Sequence, residues 1–348
     1  MKIAINGFGR IGRAIVRAAL QIKGFDNGMF NICAINDLAC VDNSAHLLKY
    51  DSIYGVLEHP ITSDRNHLIV NKHPIRYFRE KDPALLPWAE LNIDVVLECT
   101  GFFSDRASAE KHLNAGARRV LISQPATNPD NTIVFGVNHK TLESSDLIIS
   151  NASCTTNCLA PLAHIIHQNF EVSSGLINTV HSYTNDQRLL DVDHDDLMRA
   201  RSAALSLIPT KTGAAKAIGD VIPELSGKLD GLAVRVPTPS VSLLDFTFST
   251  VKDFELKHLN ECLKESAKGE LRDILCVNEG PLVSSDFKGS PFSCIYDQSL
   301  SRKVDNSTKV IAWYDNECGF AHRMLDVSAF IYKTFERNAG WSAMRTPQ

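Results

Sequence analysis

The chain has 348 residues, 44% of them hydrophobic and 22% charged, with a formal net charge of −4. That length suits about two domains with cores of their own. The charge offers no basic surface that would make nucleic acid an obligatory partner, and no run approaches the roughly 20 apolar residues needed to span a membrane. Nine cysteines, an odd number without a disulfide-like framework, read as reduced thiols of a cytoplasmic protein. No signal peptide is expected, and with no second Cys/His pair at zinc-site spacing, no metal is expected either.

The first element is a short buried strand, Lys2-Ile3-Ala4-Ile5-Asn6, followed by Gly7-Phe8-Gly9-Arg10-Ile11-Gly12 and a helical run from Ala14 to Leu20. A G-x-G-x-x-G between strand and helix is the dinucleotide fingerprint. Gly7 permits the turn, Gly9 lets a pyrophosphate approach the backbone, and Gly12 lets helix and strand pack closely. A second strand, 30–36, ends at Asp37, 25 residues after Gly12. An acidic residue there accepts from both ribose hydroxyls and repels a 2′-phosphate, which favours NAD over NADP; the alternative is an aspartate that caps a turn. Strands follow over 93–99 and 119–123, with a helix over 107–115 between them. Thr100, Gly101 and Ser123 fall at carboxyl ends of strands, where open parallel sheets bind ligands, although each also suits a plain loop. Alternation to about residue 150 predicts a doubly wound parallel α/β sheet of Rossmann type.

The next apolar run, 147–150, leads into Ser153-Cys154-Thr155-Thr156-Asn157-Cys158 and then into apolar residues at helical spacing. Cys154 therefore sits in the first turn of a helix, where unpaired N–H groups and the dipole favour a thiolate nucleophile. The competing reading is a pair of packed core cysteines four apart; the polar neighbours Ser153, Thr155, Thr156 and Asn157 argue against it. A strand over 175–180 runs into His181, 27 residues beyond Cys154. A strand returning beside the cysteine helix would bring the imidazole to the sulfur, a contact that sequence alone leaves open. Residues 185–212 form a long polar connection of the kind that is often functional. Thr212 and Gly213 open a helix suited to an anion. Arg235, one charge in the apolar strand 232–237, requires either a salt bridge or a ligand phosphate. Strands over 242–251 and 309–313 complete a mostly antiparallel second sheet, and a helix over 321–335 presents Met324, Leu325, Val327, Phe330 and Ile331 on one face.

Taken together, INGFGRIGR, AHLLKYDS, SNASCTTNC, HSYTNDQR, TKTGAAKA, AVRVPTP and WYDNECGF, in order from residue 5 to 320, closely resemble the phosphorylating glyceraldehyde-3-phosphate dehydrogenase family. The resemblance implies an NAD-binding domain over 1–152, joined by the C-terminal helix 319–336, and an α+β catalytic domain over 153–318. It implies Cys154 as nucleophile and His181 as its base. Ser153, Thr155, Thr184, Asp186, Arg199, Thr212, Gly213 and Arg235 then serve a phosphorylated aldehyde and inorganic phosphate. Arg10, Ile11, Asp37, Lys81, Ser123 and Asn316 serve NAD, with Asn316 on the nicotinamide amide. A glycolytic homotetramer is implied, with 185–212 reaching a neighbour's cofactor. The sister activity on erythrose 4-phosphate is the alternative, since the tail GFAHRMLD resembles that branch. The chain departs from the family pattern at Cys318, at Phe320 and at Val192-Asp193.

Overall fold

The computed structural model describes residues 1–22 and 29–336. The chain divides into two compact units. One holds Met1–Ile133, His139–Ala152 and the segment from Ala321; the other holds Ser153–Phe320 and the excursion Val134–Asn138. The excursion was not expected from the sequence. It turns at Gly136, whose φ is +91°, and a Cβ there would collide with Ile274 and Leu271. Only glycine lets this turn lie against those side chains.

The first unit is built on a nine-stranded sheet. Lys2–Asn6 lies at its centre, between Asn31–Asn36 and Val95–Glu98. Arg119–Ile122, Ile148–Ser150 and Asn131–Thr132 extend one side; His73–Phe78, His67–Val70 and Ile61–Ser63 extend the other. All pairings are parallel except the last two, which form an antiparallel edge. Ile3, Ala4, Ile5, Val95, Val96, Leu97, Val120, Leu121 and Ile122 are all fully buried. Consecutive strand residues point to opposite faces, so burial of every one means that both faces are covered, as a parallel sheet requires. The register sets Asn6 beside Asn36 and Glu98, and Glu98 beside Ile122. Gly7, Asp37, Thr100 and Ser123 consequently follow adjacent strand ends along one edge.

The second unit carries a seven-stranded sheet in the order Ile208–Lys211, Leu229–Val236, Val172–Ser182, Ser242–Thr250, Ser307–Tyr314, Cys294–Val304, Leu275–Asn278. Four of its six pairings are antiparallel. Ser242–Thr250 alternates buried and half-buried residues, the pattern of a strand with one face on a core. Ile208–Lys211 lies inside the connection that reads as irregular. Pro209 hides it, and the strand tolerates the proline because it is the edge of the sheet. Helices Cys154–Phe170, Ala214–Val221 and Leu256–Lys268 belong to the same unit. The helix Cys318–Ile331 is followed by a π-helical turn, Tyr332–Glu336. Among the described residues no helix is long and apolar enough to cross a membrane.

Candidate active site

Cys154 is the first residue of its helix. Ala152 turns the chain at φ 54°, and Ser153, in extended conformation, caps the helix by accepting from the Thr156 N–H at 3.0 Å. The Asn157 side chain donates to the Ser153 carbonyl at 3.0 Å. The capping set is thus Ser153, Thr156 and Asn157, which explains the polar run around the cysteine. The hydroxyl of Thr155 turns inward to Tyr314 Oη at 2.8 Å, and Tyr314 Oη also meets Thr179 Oγ1 at 2.7 Å.

Cys154 Sγ lies 3.5 Å from His181 Nε2. The parallel register of Val172–Ser182 with Leu229–Val236 places His181 directly beside Arg235. His181 Nδ1 is 2.6 Å from the Ser182 carbonyl, and Arg235 Nη1 is 3.1 Å from the same nitrogen. A carbonyl only accepts, so the shorter contact puts the proton on Nδ1; Arg235 has the Ser182 carbonyl and Thr184 Oγ1 as acceptors of its own. Nε2 is then a bare lone pair facing the sulfur. Burial, followed by the neighbouring Arg235, pushes His181 down to about 3. Burial also pushes the Cys154 thiol up, with Arg235 the largest opposing influence. Both directions work against a standing thiolate–imidazolium pair in this site. Arg235 is the cation that most favours a thiolate here.

Arg235 meets no carboxylate at ion-pair distance among the described residues, and its Nε is buried with no hydrogen-bond partner. Burial pulls its guanidinium down from the usual value. Of the two readings the sequence leaves open, no salt bridge forms among the described residues, and a half-buried cation of this kind suits an anionic ligand. Arg199 differs. It pairs with Asp186 and donates to Thr210 Oγ1 at 2.9 Å, while Thr210 donates to Asp196 at 2.8 Å. Thr212 Oγ1 accepts from the Ala214 N–H at 3.2 Å, and Gly213 caps the following helix with open space where a Cβ would stand.

The first unit fits a dinucleotide on its own observations. A Cβ on Gly7 would meet the backbone of Thr100 at 2.5 Å, and one on Gly9 would meet nothing within 4 Å. The helix Arg10–Gln21 starts with no side-chain cap and no acidic residue in its first turn, which leaves its N–H groups for phosphate oxygens. Asp37 accepts from the Phe8 N–H at 2.6 Å and the Ala39 N–H at 2.9 Å, one on each oxygen. Each oxygen keeps a lone pair for a ribose hydroxyl. Arg10 pairs with Asp51 at 2.7 Å and lies over the Tyr54 ring; Ile11 is half-buried and Lys81 exposed. The Thr100 hydroxyl is held by Glu98, and the Ser123 N–H donates to the Glu98 carbonyl. In the second unit Asn316 Oδ1 accepts from Ser182 Oγ at 2.8 Å.

Two family models match the chain: the glyceraldehyde 3-phosphate dehydrogenase NAD binding domain over residues 1–106 and the glyceraldehyde 3-phosphate dehydrogenase C-terminal domain over residues 153–316. Glyceraldehyde-3-phosphate dehydrogenase of Geobacillus stearothermophilus is 50% identical over 333 residues, covering 95% of this chain and 98% of the relative. The plasmid-encoded enzyme of that name from Cupriavidus necator is 50% identical over 332 residues, with the same coverage. Glyceraldehyde-3-phosphate dehydrogenase 1 of Bacillus subtilis is 48% identical over 335 residues, 96% of this chain and 98% of its own. The chain belongs to the glyceraldehyde-3-phosphate dehydrogenase family.

Against that family pattern, Cys318 is explained by its surroundings. Asp315 caps the last helix by accepting from the Glu317 and Cys318 N–H groups, and it also accepts from the Gly289 N–H. The Cys318 thiol, buried, donates to the Gly289 carbonyl at 3.3 Å. Phe320 is buried as well. Tyr314, which meets Thr155 and Thr179 in the candidate site, is the residue that sequence reasoning missed. An aromatic hydroxyl ending a buried strand, two residues before Asn316, was the available signal.

Proposed function

We propose that the chain oxidises D-glyceraldehyde 3-phosphate, with NAD and inorganic phosphate, to 1,3-bisphosphoglycerate through a thioester on Cys154. The observation that carries this reading is the 3.5 Å approach of Cys154 Sγ to the bare Nε2 of His181 at a helix start. NAD, when bound, supplies the two-electron acceptor; Gly7, Gly9, Arg10, Ile11, Gly12, Asp37, Lys81, Thr100, Gly101, Ser123 and Asn316 are the residues assigned to it. His181 Nε2 takes the thiol proton as Sγ bonds the aldehyde carbon, and returns it to the carbonyl oxygen, giving a hemithioacetal. Nε2 then takes the carbinol proton as that carbon is oxidised to the thioester. An oxygen of inorganic phosphate attacks the thioester carbon, the C–S bond breaks, and the acyl phosphate leaves. Cys154 departs as a thiolate beside Arg235, the group that most favours its charge. Backbone N–H groups at the helix start and His181 stabilise the oxyanions.

His181 is a weak base while Arg235 stands unpaired beside it. A phosphoryl group on Arg235 and Thr184 cancels one of the three influences that hold its pKa down, which are burial, Arg235 and Arg199. Substrate binding thus prepares the base. Thr212, Gly213 and Arg199, with Asp186 orienting Arg199, are assigned to the second phosphate, beside Ser153 and Thr155. The test is reduction of NAD with D-glyceraldehyde 3-phosphate, with and without inorganic phosphate; phosphate-dependent turnover is expected. Faster, phosphate-independent turnover of D-erythrose 4-phosphate would replace this reading with the sister activity.

A cytoplasmic homotetramer is part of the proposal. Leu189, Leu190, Leu197, Leu205 and Leu207 are each at least 70% exposed. Such a concentration of apolar side chains on one polar connection is what a neighbouring copy would cover. Sedimentation at the mass of four chains is expected; a monomer at micromolar concentration would remove this part.

A further inference from the structure

The first unit holds a buried polar cluster that the reaction above does not use. Glu98, at the end of Val95–Glu98, is 2% exposed, and His112 and Trp88 are fully buried. Trp88 Nε1 donates to His112 Nδ1 at 3.0 Å. An indole N–H only donates, so Nδ1 carries no proton and His112 is neutral with its proton on Nε2. That proton points to Glu98 Oε2 at 3.1 Å. The same oxygen accepts from the Asn6 side-chain amide at 2.6 Å. Asn6 Nδ2 and His112 Nε2 lie 3.3 Å apart, two donors converging on one acceptor. Glu98 Oε1 accepts from both the N–H and the hydroxyl of Thr100. Four donors leave no place for a carboxyl proton, so Glu98 is ionised. No lysine or arginine lies within ion-pair distance of it among the described residues.

The partners of this carboxylate are the strand ends that the glycine fingerprint assigns to the cofactor. Asn6 precedes Gly7 and accepts from the Asn36 side chain at 2.7 Å, and Asn36 precedes Asp37. Thr100 precedes Gly101, and its backbone is the surface against which Gly7 turns without a Cβ. A charge-assisted hydrogen bond fixes its partners more tightly than a neutral one does. We propose that Glu98 is the positioning residue of the cofactor half: with His112 oriented by Trp88, it sets Asn6 and Thr100, and through them the floor beneath the glycine loop. This rests on the proposed use of NAD. Its effect therefore falls on cofactor affinity and not on the chemistry of Cys154.

Glu98→Gln turns one acceptor of the cluster into a donor. KM for NAD is expected to rise about tenfold with kcat within about twofold. The Kd of NAD, measured by calorimetry on the Cys154→Ser protein with and without Glu98→Gln, should rise equally. The alkylation rate of Cys154 by iodoacetamide without cofactor should not change. A lower melting temperature with unchanged KM and Kd would make Glu98 merely structural and overturn the proposal. Should Glu98→Gln fail to fold, Trp88→Phe keeps the ring and removes its N–H; a smaller rise in Kd is expected, and none would overturn the proposal. The nitrogen chemical shifts of His112 in the wild-type protein give a further test. An Nε2–H tautomer is expected, and a proton on Nδ1 would refute the cluster as assigned. A chain with no NAD turnover at all would fail the functional reading while leaving that tautomer in place.

Discussion

Each unit takes a charge out of water, Glu98 fully and Arg235 in part, and the two are treated in opposite ways. Glu98 in the first is surrounded by four donors and has nothing left to offer a ligand. Arg235 in the second has an unpartnered Nε and no carboxylate at ion-pair distance among the described residues. A buried charge with saturated hydrogen bonds holds a shape; one left unsaturated is unfavourable until a ligand arrives. The cofactor unit thus works as a finished frame, and the catalytic unit keeps an electrostatic deficit where phosphate-bearing substrates are proposed to bind.

The sharpest way to break that division is to remove the nucleophile. Cys154→Ser should lower kcat at least ~10³-fold while calorimetry still finds NAD binding, because Cys154 and the glycine fingerprint belong to different units. Activity within about tenfold of wild type would take Cys154 out of the mechanism. Cys158→Ser, at a fully buried position one helical turn on, should keep most activity.

Arg235→Met tests the deficit itself. Turnover should drop about 10²- to 10³-fold, yet the urea midpoint should be no lower than wild type, since a half-buried cation without a counterion is replaced by an apolar chain of similar length. The apparent pKa of Cys154, read from alkylation rate against pH, should rise more in Arg235→Met than in His181→Asn, because Arg235 is the main influence lowering it. The reverse order would restore the imidazolium as the partner of the thiol.

In the cofactor unit, Asp37 should hold kcat/KM for NAD about 10² or more above that for NADP. Both its oxygens already order the backbone at Phe8 and Ala39, so Asp37→Gly should narrow the gap partly by weakening NAD. Comparable efficiency with both cofactors in the unmutated protein would overturn this role. The missing proline at Val192-Asp193 would then be the place to look.

What the sequence conveyed and what it withheld follow from distance along the chain. The strand Lys2–Asn6 with its glycines, and Cys154 at a helix start, are local patterns, and both are legible in a few adjacent residues. The contact of His181 with Arg235 depends on a parallel register between strands 54 residues apart. Glu98 reaches Asn6 across 92 residues, and Tyr314 reaches Thr155 across 159. No spacing rule announces those pairs. Ile208–Lys211 was hidden for a different reason: Pro209 argues against a strand everywhere except at a sheet edge. Burial opposes the thiolate at Cys154, an influence that a helix-dipole argument does not contain.

The smallest effect concerns stability and tests the neutral imidazole directly. Burial, then Arg235, pushes His181 down to about 3 in the folded chain from an ordinary value of 6.5. Between those values the unfolded chain takes up a proton that the folded chain refuses. The stability contributed by neutral His181 is therefore complete above about pH 6.5 and is lost progressively as pH falls towards 3. From pH 7.5 to pH 5 the loss should be about 2 kcal/mol. His139, His164 and His167 are also lowered by burial and act with the same sign, so the wild-type curve alone does not isolate His181. His181→Asn cannot titrate there, and its urea-unfolding free energy should fall less than that of wild type over the same interval. Parallel pH curves for the two proteins would mean that His181 is protonated in the fold near its ordinary value. The imidazolium would then be present without substrate, and Arg235 would no longer be the cation that most favours the Cys154 thiolate.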